Sequence, residues 1–329
     1  MMSVLSIRDL NVTFPTPLGD LRAVRGVSLD VEAGELMGVV GESGSGKSVT
    51  FLAAMGLLPH KARITGSVTV DGQELIGASQ KVIRSVRGKS LAMIFQDPLS
   101  ALNPVHRVGD QIVEMIQAHS TATDTEAWKR AVELLDIVGI PQPEDRAHQY
   151  PHEFSGGMRQ RVVIAMAIAN DPKVLIADEP TTALDVTVQA QILEVIQRIQ
   201  ERFGTAVVLI THDLGVIARV AHRVNVLYAG RNVERATVDE LFAHPTHPYT
   251  QGLLASLPHE GQKRLTPITG FPPNMLAPPP GCGFAPRCAH VRPECEATLP
   301  EMVAHGSSWT SCIRADDVAV GVGKGGTRG

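Results

Sequence analysis

The chain has 329 residues, 43% of them hydrophobic and 19% charged, enough to bury a large core and stay soluble. Its 30 basic and 34 acidic residues leave a net charge of −4. That balance excludes a protein whose main task is to coat nucleic acid, which needs a basic surface to displace counterions. No run approaches the ~20 apolar residues that cross a bilayer. Residues 1–9 lack a basic segment followed by an apolar one, so no secretory signal is expected and the chain is expected in the cytosol. If it works at a membrane, other chains must supply the spanning part.

Strand-like and helical patterns alternate from residue 4 to about 250. The runs 35–40, 91–95, 174–177 and 206–210 are short and apolar, as expected for strands buried on both faces. A helix is predicted over 49–58, stopped by Pro59. Residues 97–150 carry no strong strand signal and read as helical, for example over 126–138. They predict an inserted helical subdomain at about 97–160. After Ser155, the residues Met158, Val162, Ala165, Met166 and Ala169 recur at helical spacing until Asn170-Asp171-Pro172. Strands alternating with helices predict an α/β fold around a mostly parallel sheet. Beyond residue 250 the composition shifts. Residues 267–280 are proline-rich, all four cysteines lie between Cys282 and Cys312, and a glycine-rich tail from 318 is expected to be disordered.

The run Gly41-Glu42-Ser43-Gly44-Ser45-Gly46-Lys47-Ser48 lies between a predicted strand and a predicted helix. Its glycines let backbone N–H groups converge on phosphate oxygens at the positive end of the helix. Lys47 is expected to reach the terminal phosphates and Ser48 to hold Mg²⁺. The strand 174–177 runs into Asp178 and Glu179, a carboxylate for the Mg²⁺ shell and a base for the attacking water. Another predicted strand ends at Thr211-His212. The run Phe154-Ser155-Gly156-Gly157-Met158 opens a long helix, a second phosphate-seeking helix start in the same chain. One nucleotide does not need two such starts from one subunit, so the second fits a nucleotide held by a partner.

These motifs, in this order, resemble the ATP-binding-cassette ATPases, in which two subunits stack head to tail and sandwich two ATPs. The resemblance covers residues 4 to about 250 and implies a P-loop NTPase core with ATP and Mg²⁺ as ligands. It further implies that Gln96 touches Mg²⁺, Asp185 lines the dimer seam, His212 meets the γ-phosphate and Phe14, near the start of the first strand, stacks on adenine. Ser155, Gly156 and Gly157 are implied to contact the partner's nucleotide. The chain departs from the family pattern at Met158, where glutamine is usual, and at Thr182, where serine is common.

Residues 41–47, 95–104 and 247–254 resemble the importer ATPases for oligopeptides, dipeptides and nickel. So does the C-terminal segment 251–317 with Cys282, Cys288, Cys295 and Cys312, separated by 5, 6 and 16 residues. The resemblance implies an ATPase at the cytoplasmic face of the cell membrane, paired with a second, homologous or identical cassette. The pair would dock on two membrane permeases served by an extracytoplasmic substrate-binding protein. The cargo is expected to be short peptides, with nickel or glutathione as alternatives. A soluble cassette ATPase of DNA repair or translation is disfavoured by the single cassette and the lack of sustained heptads. The four thiols suit a [4Fe–4S] cluster, as some members of this subfamily carry. Zinc and reduced, unliganded thiols remain open. The phosphate loop is expected to hold nucleotide independently of the cysteine segment.

Overall fold

The computed structural model describes residues 3–182, 184–257 and 267–322. Its strands are β1 (Ser3–Thr16), β2 (Gly19–Glu32), β3 (Leu36–Val40), β4 (Arg63–Val70), β5 (Gln73–Glu74) and β6 (Leu91–Ile94). They continue with β7 (Val174–Asp178), β8 (Ala206–Thr211), β9 (Arg223–Tyr228), β10 (Arg231–Thr237), β11 (Val303–His305) and β12 (Ser308–Thr310). Two compact units divide the described residues. One holds residues 3–6, 30–36 and 69–210, the other 7–29, 37–68 and 211–322.

In the first unit β6, β7 and β8 are parallel, with Leu91 opposite Val174 and Val174 opposite Ala206. Every residue of these strands is buried, which explains their unbroken apolar runs. Between β6 and β7 the described residues form only helices and turns, the expected inserted subdomain. Its helices include Pro98–Ala101, Val108–Gln117, Asp124–Ile137 and Gly156–Ala167. Asp124–Ile137 starts at a capping box in which Thr123 and Glu126 satisfy each other's backbone N–H. The helix after Ser155 ends at Ala167, slightly before the predicted stop.

In the second unit the sheet order is β11-β12-β10-β9-β3. Strand β3 is parallel to β9, whereas β9, β10, β12 and β11 are antiparallel in turn. The outer two come from the cysteine segment, with Glu234 opposite Thr310 and Arg235 opposite Trp309. A separate sheet with β2, β1 and β4 in that order has most of its residues in this unit. The helix after the phosphate loop is Lys47–Ala54, not 49–58. Its end is set by Gly56 at φ 62, where Leu57 N–H reaches Leu52 O and Gly56 N–H reaches Ala53 O, well before Pro59. The tail expected to be disordered from residue 318 is helical to 322, within Ala315–Val322. Residues 323–329 lie outside the described residues, as does Ala183.

Candidate nucleotide site and the cysteine segment

In the second unit the fully buried β3 delivers the chain into the loop 41–48. Gly41 is obligatory, because a Cβ there would run into Leu227 O and lie 2.7 Å from Ser45 Oγ. Gly46 takes φ 95 and leaves the start of the helix Lys47–Ala54 with no side-chain cap. Its first N–H groups are therefore not satisfied by any side chain of the cap residue, as an anion site requires. Lys47 is buried, and its Nζ donates to Gly41 O at 2.7 Å and Glu42 O at 3.1 Å. The ammonium is thus folded over the loop it would share with phosphate. Ser48 lies in the first turn of this helix. Phe14 lies near the end of β1, not its start. With Ser43, Gly44, Ser45 and Gly46 it lines a cavity of about 500 Å³ that Pro272, Pro273, Asn274 and Met275 also line. His212 is exposed, just after β8 and before Asp213, whose carboxylate caps the helix Leu214–Val220.

Both ends of Glu42 are held by residues the sequence reading did not connect to the loop. Its N–H donates to Tyr249 Oη at 2.8 Å. Its carboxylate takes both arms of Arg287, Nη1 to Oε2 at 2.8 Å and Nη2 to Oε1 at 3.0 Å. Arg287 also donates to Tyr228 Oη, Thr269 O and Ile268 O, and its side chain is 5% exposed. Burial opposes its charge, but the bonds to Glu42 and Tyr228 outweigh that and hold its pKa above the usual arginine value. Burial also pushes the Tyr249 phenol up, keeping it neutral as a hydrogen-bond partner. Nearby, the Glu234 carboxylate accepts the N–H groups of Thr246 and His247. Burial pushes His247 down to about 3, and its neutral Nδ1 accepts Tyr249 N–H at the start of the helix Pro248–Ala255. No sequence signal pairs residues 245 positions apart.

In the first unit Asp178 closes β7 and Glu179 follows at φ 47, a left-handed turn that lifts its carboxylate out of the strand direction. Glu179 Oε2 accepts Gln96 Nε2 at 3.1 Å and Thr182 Oγ1 at 2.9 Å. The departure at Thr182 therefore keeps a hydroxyl on the carboxylate. Ser155 caps the helix Gly156–Ala167, its Oγ accepting Met158 N–H at 3.3 Å. Gly157 sits against the helix Val186–Phe203, and a Cβ there would come within 2.6 Å of Val188 Cγ1. Asp185 caps that helix by accepting Val188 N–H at 3.0 Å.

All four cysteines are free thiols, and Cys282, Cys288, Cys295 and Cys312 line one cavity with His247, Phe284, His290 and Arg314. Among the described residues no group of three or more His, Cys, Asp or Glu side chains is arranged to hold a metal ion. Burial pushes the Cys282 and Cys288 thiols up and Cys312 up to about 11. Backbone N–H groups work the other way: Phe284 and Ala285 donate to Cys282, His290 to Cys288 and Arg314 to Cys312. Burial outweighs these donors, so all three groups are held as neutral thiols.

Residues 24–182 match the family model described as ABC transporter, and residues 233–295 match the one described as oligopeptide/dipeptide transporter, C-terminal region. The chain is 53% identical over 293 residues to the oligopeptide transport ATP-binding protein OppD of Bacillus subtilis, covering 88% of this chain and 82% of that one. It is 50% identical to the dipeptide transport ATP-binding protein DppD of the same organism, covering 94% of each chain. Among solved structures, it resembles a dimeric ATP-binding cassette bound to ADP and Pi, with a TM-score of 0.63 at 26% identity over 71% of this chain and 98% of the other. The loop, the carboxylate pair and the Ser155 helix start fall inside residues 24–182, and the chain belongs to the ATP-hydrolysing subunits of ABC transporters, in the oligopeptide/dipeptide branch.

Proposed function

We propose that this chain hydrolyses ATP to energise the import of short peptides, as one of two cassettes docked on two permeases at the cytoplasmic face of the membrane. No described helix is long and apolar enough to cross a membrane, so the permeases supply the path and an extracytoplasmic binding protein delivers the peptide. The observation that carries the peptide reading is the match of residues 233–295 to the oligopeptide/dipeptide C-terminal region, together with relatives named for peptide transport. ATP supplies the bond whose hydrolysis drives the cycle. Lys47, the loop N–H groups and Ser48 would hold its phosphates and Mg²⁺, and Asp178 and Gln96 would serve as further Mg²⁺ ligands. Glu179, oriented by Gln96 and Thr182, takes the proton of the attacking water. His212 meets the γ-phosphate and Phe14 stacks on adenine. Ser155, Gly156 and Gly157 address the nucleotide of the partner cassette, beside Asp185 at the seam. Uptake of labelled dipeptide, tripeptide, glutathione and nickel by cells with and without the chain tests the cargo. Peptide uptake is expected to fail, and loss of nickel or glutathione uptake alone would overturn the reading.

For the cysteine segment we propose a four-thiolate [4Fe–4S] cluster, whose binding would have to draw the four thiols together, since among the described residues they form no group arranged to hold a metal ion. Four thiols line one cavity and three of them receive backbone N–H bonds. When bound the cluster would supply covalent staples to a proline-rich segment too small to fold by its own core.

A further inference from the structure

The phosphate loop carries a carboxylate of its own, Glu42, between Gly41 and Ser43. An unpaired carboxylate there would repel a polyanionic nucleotide, and more strongly as the site closes and water leaves. The charge that meets it comes from the cysteine segment. Arg287 grips both carboxylate oxygens, and its remaining donors are taken by Tyr228 Oη and the carbonyls of Thr269 and Ile268. Its guanidinium lies 5.8 Å from the ring centres of both Tyr228 and Phe284. Such a fork has one orientation, unlike a flexible surface lysine. The same segment also lines the cavity through residues 272–275, where Met275 O accepts Arg22 N–H at 3.0 Å.

We propose that Arg287 is a positioning residue for the ATP site, neutralising Glu42 and fixing the loop so that it accepts phosphate. The cysteine segment then takes part in nucleotide binding and is not merely an appendage. The proposal rests on residues 41–48 being the phosphate-binding loop. Arg287 directly precedes Cys288 and stacks on Phe284, which lines the thiol cavity, so whatever orders the thiols also orders the fork.

ATP affinity of the full chain, measured by titration calorimetry, tests this. Arg287→Met is expected to weaken ATP binding about tenfold, the scale of a coupled charge pair. KM for ATP should rise with it, and kcat should change little. Arg287→Lys keeps the charge but cannot grip both oxygens, and should fall between the two. Adding Glu42→Gln to Arg287→Met removes the repelling charge and is expected to restore affinity to within about threefold of wild type. A purely structural loss would not be rescued in this way. Should Arg287→Met fail to fold, Arg287→Gln with and without Glu42→Gln carries the same comparison. Affinity within about twofold of wild type in the folded single variant, or a loss that Glu42→Gln does not relieve, overturns the proposal. Lys47→Ala separates the two readings: if it binds ATP as wild type does, the loop assignment itself fails.

Discussion

Gln96 Nε2 donates to Glu179 Oε2 at 3.1 Å, although the two are 83 positions apart with the whole helical insertion between them. The contact ties the exit of β6 to the exit of β7, neighbouring parallel strands whose ends lie on the same side of the sheet. The same glutamine stands directly before the helical insertion, so the bond joins the Glu179 carboxylate to the start of that insertion.

Removing the base while keeping its shape is expected to uncouple binding from turnover. Glu179→Gln should bind ATP as wild type does and hydrolyse it at least ~100-fold more slowly, the scale for loss of a general base. Single-turnover hydrolysis alongside equilibrium binding checks this. Near-normal hydrolysis would assign the water to another residue.

Ser155 caps its helix, so many substitutions there confuse stability with function. Ser155→Asp keeps a capping oxygen but sets a negative charge where a partner's phosphate would approach. Thermal stability and ATP binding at Lys47 are expected to survive while turnover of the paired cassettes is lost. Wild-type turnover per chain should rise with protein concentration. A rate independent of concentration would remove the two-cassette model.

Gly157 admits the helix Val186–Phe203 at a distance no Cβ would allow. Gly157→Ala should cost about 1–3 kcal/mol through overpacking against Val188. Trimming the obstacle with Val188→Ala in the same chain should return part of that loss, which chemical denaturation of both variants would reveal.

Chain purified without oxygen is expected to be brown, with about four irons per molecule. Each of Cys282→Ser, Cys288→Ser, Cys295→Ser and Cys312→Ser should bleach it and loosen the segment around residues 281–312. ATP binding should weaken by no more than Arg287→Met weakens it. Colourless chain with one tightly held zinc would replace the cluster, and metal-free chain with an ordered segment would leave packing as its only support.

The buried His247 makes stability depend on acid. Its pKa is about 3 in the fold and 6.5 in an unperturbed chain, so between those values the unfolded state binds more protons. Stability therefore falls as pH falls through that window, by up to about 1.4 kcal/mol per pH unit. Glu234, raised by burial and bound to His247 N–H, acts in the opposite sense, and His290 and Arg314 face the same cavity. All three remain in His247→Asn, which can still cap Tyr249 N–H. Denaturation midpoints from pH 7 to pH 5 should drop less steeply in that variant than in wild type.

What was legible in the sequence was local. The loop 41–48, the Asp178-Glu179 pair and the Ser155 helix start are each contiguous runs whose chemistry follows from spacing. The buried strands of the first unit were legible because both their faces are apolar. Strand β10 was not, because its polar positions Asn232 and Glu234 are satisfied by tertiary partners, among them Ser28 N–H 204 positions away and Thr246 and His247 beyond the strand's end. The Arg287–Glu42 pair was hidden for the same reason, and the loop consequently read as independent of the segment that grips it.

Strand β12 pairs with β10, with Arg235 opposite Trp309, and carries only the three-residue β11 outside it. Without residues 303–310, β10 would become an open edge of the sheet, with unpaired N–H and C=O groups along a largely buried strand. Open edges of that kind template pairing with other molecules. A chain cut after residue 257 is thus better understood as an aggregation hazard than as a minimal ATPase, and the short β11 acts as the cover that keeps neighbouring copies from adding strands.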